Sequence, residues 1–146
     1  MTAKTAAILP RHDLLASEAE HLEDRLHDHN RRATGQDDVR RLAFVALDAH
    51  GKQTGAIAGY TWAGMAEIKQ LWVDELHRGI GIGRQLLEAA IGEATERHCQ
   101  CVWVLSNDFH APGLYEKCGF TRVAELKAWP PGHSLIALCR RLQKAE

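Results

Sequence analysis

Three alternating glycines, placed between an apolar run and an amphipathic stretch, restrict the fold of this chain more than any other feature. The apolar run covers residues 71–73, and the glycines are Gly79, Gly81 and Gly83. Glycine has no Cβ and tolerates positive φ, so successive amide N–H groups of such a turn can point at one anion. The N-terminus of the following helix adds partial positive charge. The pattern predicts a strand–turn–helix unit that holds a pyrophosphate.

Two common phosphate-binding turns do not fit this spacing. A dinucleotide-binding G-x-G-x-x-G motif needs glycine where Arg84 stands, and an acidic residue about 20 positions further on, where residues 101–104 are apolar. A nucleoside-triphosphate loop needs Lys-Ser or Lys-Thr after its glycines, and neither follows here.

The R-x-x-G-x-G pattern of Arg78, Gly81 and Gly83 resembles the Q/R-x-x-G-x-G/A signature of the GNAT superfamily of N-acetyltransferases. The resemblance implies acetyl-coenzyme A (acetyl-CoA) as cosubstrate, with its pyrophosphate in this turn, and it implies no metal. The residues implied at the pyrophosphate are Arg78, Gly79, Ile80, Gly81, Ile82, Gly83 and Arg84.

The resemblance also implies two parallel strands that are pulled apart, at residues 67–74 and 101–107, with the pantetheine arm between them. The arm would bond to the backbone of Leu71, Trp72 and Val73, and one of these amides would face the thioester carbonyl. Many family members have an asparagine near the end of the second strand. Here Asn107 lies one position early, and Asp108, a good helix N-cap residue, stands in its place.

A second segment, residues 113–120, resembles the family's L-Y-E-K-x-G-F segment. The match implies that Tyr115 is the general acid that protonates the coenzyme A sulfur. Neighbouring Cys118 is expected to pack in the core rather than carry an acyl group. The wider segment and the P-P-G-H turn that ends at His133 are similar to a bacterial subgroup whose acceptors the sequence does not assign.

Glu67 lies where several family members place the glutamate that removes a proton from the amine. Its position alternates with Lys69, Leu71 and Val73, which puts it on their strand face unless a bulge intervenes. Glu67 is therefore a candidate base or acceptor-binding group, and a solvated strand carboxylate is the alternative. Burial of the amine could also supply its neutral form without a dedicated base.

Several polar residues are candidates for the acceptor side. His110 and His133 would line the acceptor pocket, His133 because the last hairpin of the family often borders it, although surface loop histidines are the simpler interpretation for both. The loop at residues 31–38 is a further candidate border, and Asp37 and Asp38 would attract an amine.

The order of patterns predicts a mixed α/β (α+β) fold: one domain over residues 1–146, with a twisted sheet of about six to seven strands flanked by helices. At 146 residues and 45% hydrophobic composition, one substantial core is expected. The predicted strands are residues 5–9, 41–48, 54–62, from 65, 101–105, 122–129 and 134–142, and the predicted helices are residues 13–30 with a capping box at Ser17, from 82, and 111–118. The strand at 101–105 is apolar without alternation, as is typical of burial on both faces.

Charge and targeting signals narrow the partners. The net charge of −1, from 18 basic and 19 acidic residues, gives no indication of nucleic-acid binding. No apolar run approaches the ~18 residues of a membrane span, so a cytoplasmic protein without membrane partners is expected. The four cysteines show no disulfide or zinc-site spacing, which suits a reducing compartment.

Three functions stay open from the sequence. The first is direct transfer of an acetyl group from acetyl-CoA to a primary amine of a small molecule or peptide in a ternary complex, and family habit is compatible with a homodimer. The second is a non-catalytic acyl-CoA-binding sensor or regulatory module. The third is a structural interaction domain without coenzyme affinity.

Overall fold

The computed structural model describes residues 5–142 and divides the chain into two compact units, Met1–Gln36 and Asp37–Glu146. The expectation of one domain over residues 1–146 stays a prediction.

The first unit contains one helix, α1, at Ala16–Thr34. The predicted strand at residues 5–9 is wrong: these residues form no strand, and no strand described within residues 5–142 pairs with them. The predicted capping box is also wrong, because Leu15 is the N-cap and no side chain caps the helix. Basic residues in the last turn complement the helix dipole, and α1 continues to Gly35, whose φ of 71° terminates it.

The second unit is built on a six-stranded sheet with the order β1-β2-β3-β4-β6-β5. The strands are β1 (Arg40–Leu47), β2 (Gln53–Trp62), β3 (Met65–Val73), β4 (Cys101–Asn107), β5 (Thr121–Lys127) and β6 (Ser134–Arg141). Neighbours are antiparallel except for β3 and β4, which are parallel. The expected mixed sheet and its antiparallel β1–β2–β3 meander are confirmed.

Two helices pack on the core of this unit. Helix α2 (Ile82–Glu96) buries Leu86, Leu87, Ala90, Ile91 and Ala94, which confirms the predicted apolar stripe. Helix α3 (Pro112–Lys117) has proline in its first turn, and Gly119, at a φ of 87°, follows its end as expected. Tyr115 and Phe120 join the same buried cluster as the α2 stripe.

Strand β4 is buried on one face only, so the predicted burial of both faces is wrong. Val102 and Val104 are buried within the cluster that includes α2, whereas Leu105 is 50% exposed. The apolar sequence did not distinguish burial of one face from burial of both. Within the Asp37–Glu146 unit, α2 and α3 both contribute to the one cluster that covers a single face of β4.

The structure pairs Cys101 with Cys139 as a disulfide between β4 and β6, with Cα atoms 6.8 Å apart. The expectation that no cysteines pair is therefore wrong for these two. The two cysteines are 38 residues apart in the sequence, and it is the pairing of β4 with β6 that brings them together. Their spacing therefore gave no signal of a disulfide. Cys99 and Cys118 are free and buried.

Candidate active site

The gap between β3 and β4 is the central feature of the site. The parallel ladder begins at Met65 and Cys101 and ends at the pair Ile68 and Val104. Both strands continue beyond that pair, β3 to Val73 and β4 to Asn107. The facing edges of these two segments are not paired with each other, so their peptide groups are available to a ligand between the strands. We call this space the strand gap.

A β-bulge in β3 coincides with the start of the strand gap. The β2–β3 register pairs Ala58 with Gln70 and then Gly59 with Ile68, which leaves Lys69 as an extra residue. A bulge bends its strand and increases the local twist, so it accounts for the divergence of β3 from β4. Gly59 is required opposite the bulge, because a Cβ there would overlap the carbonyl oxygen of Glu67.

The bulge also reverses the alternation of faces along β3. Before it, Ala66 and Ile68 are in the buried cluster; after it, Leu71 and Val73 pack against the same cluster. Glu67 therefore does not share a face with Leu71 and Val73. The predicted shared face applied to a strand without a bulge, and the bulge at Lys69 reverses it.

The glycine turn has the geometry expected of an anion site. A 3-10 turn at Glu75–His77 precedes it, and Gly79 and Gly81 have φ values of 80° and 90°. Within residues 5–142, no carbonyl accepts a hydrogen bond from the amides of residues 79–84, and the first bond of α2 runs from Gln85 N to the oxygen of Gly81. Six successive amides are thus available at the N-terminus of a 15-residue helix. We call them the amide cradle.

Side chains on both sides hold the amide cradle in place. Arg78 Nε donates to the carbonyl of Val73 at 3.0 Å, which ties the turn to the last residue of β3. His77 Nδ1 and Asp74 Oδ2 are 2.9 Å apart across the 3-10 turn. A Cβ on Gly83 would lie 3.3 Å from Leu114 Cδ2, so this glycine permits close packing of α2 on α3. Arg84 pairs with Glu88 at 2.9 Å, and that hydrogen bond raises the pKa of Arg84.

Tyr115 presents a hydroxyl that has no hydrogen-bond partner among residues 5–142. Its ring is 5% exposed and meets Phe120 edge to face, with centroids 5.5 Å apart. Burial raises the pKa of Tyr115 to about 12, so the hydroxyl stays protonated at neutral pH. No described residue bonds to this hydroxyl, and no buried polar side-chain atom within residues 5–142 lacks a partner, so the hydroxyl is not sealed from solvent. It can donate a proton to a ligand.

Cys118 lies three residues beyond Tyr115 and is 6% exposed. Burial raises the pKa of the Cys118 thiol, which disfavours the nucleophilic thiolate. The thiol packs in the core, as its flanking residues suggested.

Glu67 lies at the narrow end of the strand gap. It pairs with Trp103 in the parallel ladder, one position before the ladder ends. Its side chain is 11% exposed, and Oε1 is 3.4 Å from Lys69 Nζ. The carboxylate is therefore an ion-paired group at the vertex of the opening rather than a freely solvated one.

Asn107 ends β4 at the wide part of the strand gap, and its carbonyl accepts from the amide of His110 at 3.0 Å. The prediction that Asp108 caps α3 is wrong, since Ala111 is the N-cap and no side chain caps the helix. Asp108 instead accepts from the amide of Ser134 at 3.0 Å and lies 2.9 Å from His133 Nδ1. The β4–β6 ladder brings these distant residues together.

The remaining acceptor-side candidates are distributed over the unit. His110 packs on Phe109 with ring centroids 4.8 Å apart, next to the Asp108–His133 contact. Asp38 accepts from the amide of Ala63 in the β2–β3 turn, at the opposite end of β3 from the amide cradle, so it has a structural role there. Sequence reasoning missed the role of Gly59, although a glycine inside a strand pattern is a signal for a bulge.

This geometry defines a mixed α/β domain in which two diverging parallel strands open a gap beside the amide cradle. Comparison with known proteins identifies the family to which the domain belongs. Residues 9–120 match the model of the acetyltransferase (GNAT) family, and the chain belongs to that family. It is accordingly an acyltransferase, as the motifs around Arg78 and Tyr115 implied.

Three relatives show how far the similarity extends. Acetyltransferase Atu2258 of Agrobacterium fabrum is 32% identical over 130 residues, which cover 88% of this chain and 95% of the relative. Blasticidin-S acetyltransferase of Streptomyces morookaense is 32% identical over 101 residues, covering 68% and 74% respectively. The crystal structure of an acetyltransferase from Bacillus cereus superposes with a TM-score of 0.79 at 27% identity, and the match covers 94% of this chain and 98% of that one.

No group of three or more histidine, cysteine, aspartate or glutamate side chains within residues 5–142 has an arrangement that could hold a metal ion. No helix in the same part of the chain has the length and apolar character needed to cross a membrane.

Proposed function

We propose that this enzyme transfers the acetyl group of acetyl-CoA to a primary amine of a small molecule or peptide by direct attack in a ternary complex. The observation that carries the proposal is the amide cradle at the wide end of the strand gap, with the Tyr115 hydroxyl on the adjoining helix. A ligand with linked phosphates, a long polar arm and a terminal thioester matches these three parts in order.

The coenzyme binds along β3 in this proposal. Residues 78–84 hold the pyrophosphate. The pantetheine arm takes the place of β4 as the hydrogen-bond partner of the peptide groups of Leu71, Trp72 and Val73. Asn107 contributes from the opposite strand. An amide among residues 71–73 stabilises the oxyanion that develops on the thioester carbonyl, where one such donor contributes about 10²–10³-fold in rate.

Tyr115 protonates the departing thiolate. Its burial keeps the hydroxyl neutral, and the proton is available to sulfur because no residue in the described part of the chain bonds to the hydroxyl. No acyl-cysteine step is needed, because the buried thiol of Cys118 is a poor nucleophile.

Glu67 acts on the acceptor, as a base or as a binding group for its ammonium. Its place beside the last pair of the β3–β4 ladder supports either role, and its ion pair with Lys69 shows that the carboxylate accepts a cationic partner. The named activity of the blasticidin-S relative supports a small-molecule acceptor. A cytoplasmic location and a homodimer remain predictions.

Two measurements test the function. Calorimetric titration with acetyl-CoA is expected to show saturable binding. A thiol-release assay with a panel of primary amines (amino acids, diamines, aminoglycosides and short peptides) is expected to identify at least one acceptor. Binding without amine-dependent thiol release would indicate the sensor function instead, and absence of binding would reject both.

A further inference from the structure

A second pair of titratable side chains lies at the wide end of the strand gap. Asp108 directly follows β4, and His133 directly precedes β6. The β4–β6 ladder runs up to the pair Asn107 and Leu135, and the amide of Asp108 donates to the carbonyl of Ser134 at 2.9 Å. The backbone ladder therefore holds the two side chains next to each other. We call them the Asp108–His133 pair.

Both oxygens of Asp108 are in use, and this fixes the tautomer of the neutral imidazole. Oδ2 accepts from the amide of Ser134 at 3.0 Å, and Oδ1 lies 2.9 Å from His133 Nδ1. Because a carboxylate only accepts, Nδ1 must carry the proton. Nε2 of the neutral ring then carries the lone pair, and no described residue within 5–142 bonds to it.

The surroundings fix the ring without covering it. Phe109 meets the imidazole edge to face at 5.0 Å between centroids, and the ring of His110 packs on Phe109 with centroids 4.8 Å apart. The backbone of the turn before β6 is fixed by a hydrogen bond from the amide of His133 to the carbonyl of Pro130. The other charged group near this hairpin end is Lys127, which pairs with Ser134 in the β5–β6 ladder. The His133 side chain remains 47% exposed.

Along the strand direction, the Asp108–His133 pair lies near the height of the proposed thioester site. Ile68 and Val104 form the last parallel pair, and the bulge adds one residue to β3. Counting onward along both strands places Asn107 opposite Leu71 or Trp72, whose backbone is proposed to face the thioester. Asp108 is the next residue of the chain after β4.

Glu67 is less suited to receive a proton, because it is already an ion-pair partner of Lys69 at the narrow end of the gap. We propose that His133 Nε2, oriented by Asp108, receives the proton from the acceptor ammonium directly or through one water. This inference rests on the proposed function. Asp108 is a positioning residue in it.

The proton and electron balance is as follows. The ammonium loses one proton to Nε2, which becomes an imidazolium and later releases that proton to solvent. The freed lone pair forms the C–N bond at the thioester carbonyl carbon, and collapse of the tetrahedral intermediate breaks the C–S bond. Tyr115 gives a proton to the thiolate, and the second proton lost by nitrogen restores the tyrosine hydroxyl.

The test compares kcat/KM against pH for the wild-type enzyme and for the His133→Gln and Asp108→Asn variants, with the best acceptor of the amine panel. His133→Gln is expected to lower kcat/KM about 10²-fold and to remove the acid-side fall in rate that protonation of Nε2 causes. Asp108→Asn should lower kcat/KM less, and should shift that fall. His98→Asn, before β4 and at a φ of 59° that asparagine tolerates, is the control and should match wild type.

A rescue experiment separates proton transfer from structure. His133→Ala is expected to bind acetyl-CoA like wild type by calorimetry, and free imidazole should restore part of its turnover. Wild-type turnover and pH profile in His133→Gln, no rescue by imidazole, or loss of acetyl-CoA binding in His133→Ala would each overturn the inference. All of these results leave the proposed function intact, which fails only if wild type neither binds acetyl-CoA nor releases thiol with any amine.

Discussion

At the scale of single residues, the three alternating glycines have two different physical roles. Gly79 and Gly81 have positive φ, which residues with a Cβ rarely adopt, and no carbonyl within residues 5–142 accepts from the amides of this turn. Gly83 has no positive φ, but its missing Cβ permits the close approach of Leu114 and Val73. The first role concerns the ligand, and the second concerns the packing that holds the turn.

Gly81→Ala tests the first role. A Cβ at a φ of 90° is expected to cost about 1–2 kcal/mol in the free energy of unfolding and to weaken acetyl-CoA binding about tenfold or more by turning the amides away. Gly92→Ala is the matched control, since it lies within α2 with no atom near the added Cβ. Urea unfolding and calorimetry measure both effects, and equal acetyl-CoA affinity in the two variants would contradict the cradle.

Tyr115→Phe tests the general acid. Turnover is expected to fall about 10²-fold or more, while acetyl-CoA affinity changes little because the ring still packs on Phe120. Thiol release and calorimetry measure the two quantities. Unchanged kcat would remove Tyr115 from the acid role.

The raised pKa of Tyr115 also predicts how stability depends on pH. The unfolded tyrosine ionises near 10.0 and the folded one near 12, so between these values the folded state binds more protons. The contribution is therefore fully present below pH 10.0 and is lost as pH rises toward 12, and it amounts to about 3 kcal/mol at most. Urea unfolding of wild type and Tyr115→Phe from pH 9 to 11 should show a steeper loss in wild type, and parallel curves would refute the assignment.

At the scale of elements, the bulge in β3 determines the shape of the site. It coincides with the end of the parallel ladder, returns Leu71 and Val73 to the core face, and leaves Glu67 on the other face. Gly59 in β2 is the residue that makes room for it.

Gly59→Ala is expected to be severely destabilising, by about 2–4 kcal/mol, because the new Cβ would overlap the Glu67 carbonyl. A variant that still folds should have lost acetyl-CoA affinity, since relaxation of the bulge would narrow the strand gap. Gly92→Ala again serves as the comparison. Wild-type stability and affinity would show that the bulge does not shape the gap.

Elements with a strong local signal were predictable from the sequence. The glycine turn and the α2 stripe depend on neighbours within a few residues, and both are found as expected. The Asp108–His133 pair depends on the β4–β6 ladder across 25 residues, so local pattern suggested a helix cap instead. The face of Glu67 depended on whether β3 is regular, because one inserted residue reverses the alternation and periodicity alone does not reveal such an insertion.

At the scale of the whole molecule, the proposed coenzyme site and the proposed base His133 come from different parts of the chain. The family match covers residues 9–120, which include the amide cradle, the strand gap and Tyr115. The hairpin of β5 and β6 lies almost wholly beyond it and supplies His133. We therefore expect coenzyme binding to follow the family closely, and acceptor preference to depend more on this hairpin.

The central claim is that the amides of residues 79–84 bind linked phosphates and thereby direct an acyl sulfur to Tyr115. A crystal structure of the enzyme with acetyl-CoA tests it most directly. We predict pyrophosphate oxygens within hydrogen-bond distance of these amides, the pantetheine arm in the strand gap and the sulfur next to the Tyr115 hydroxyl. A coenzyme bound elsewhere, or a gap closed by side chains at saturating acetyl-CoA, would contradict the account.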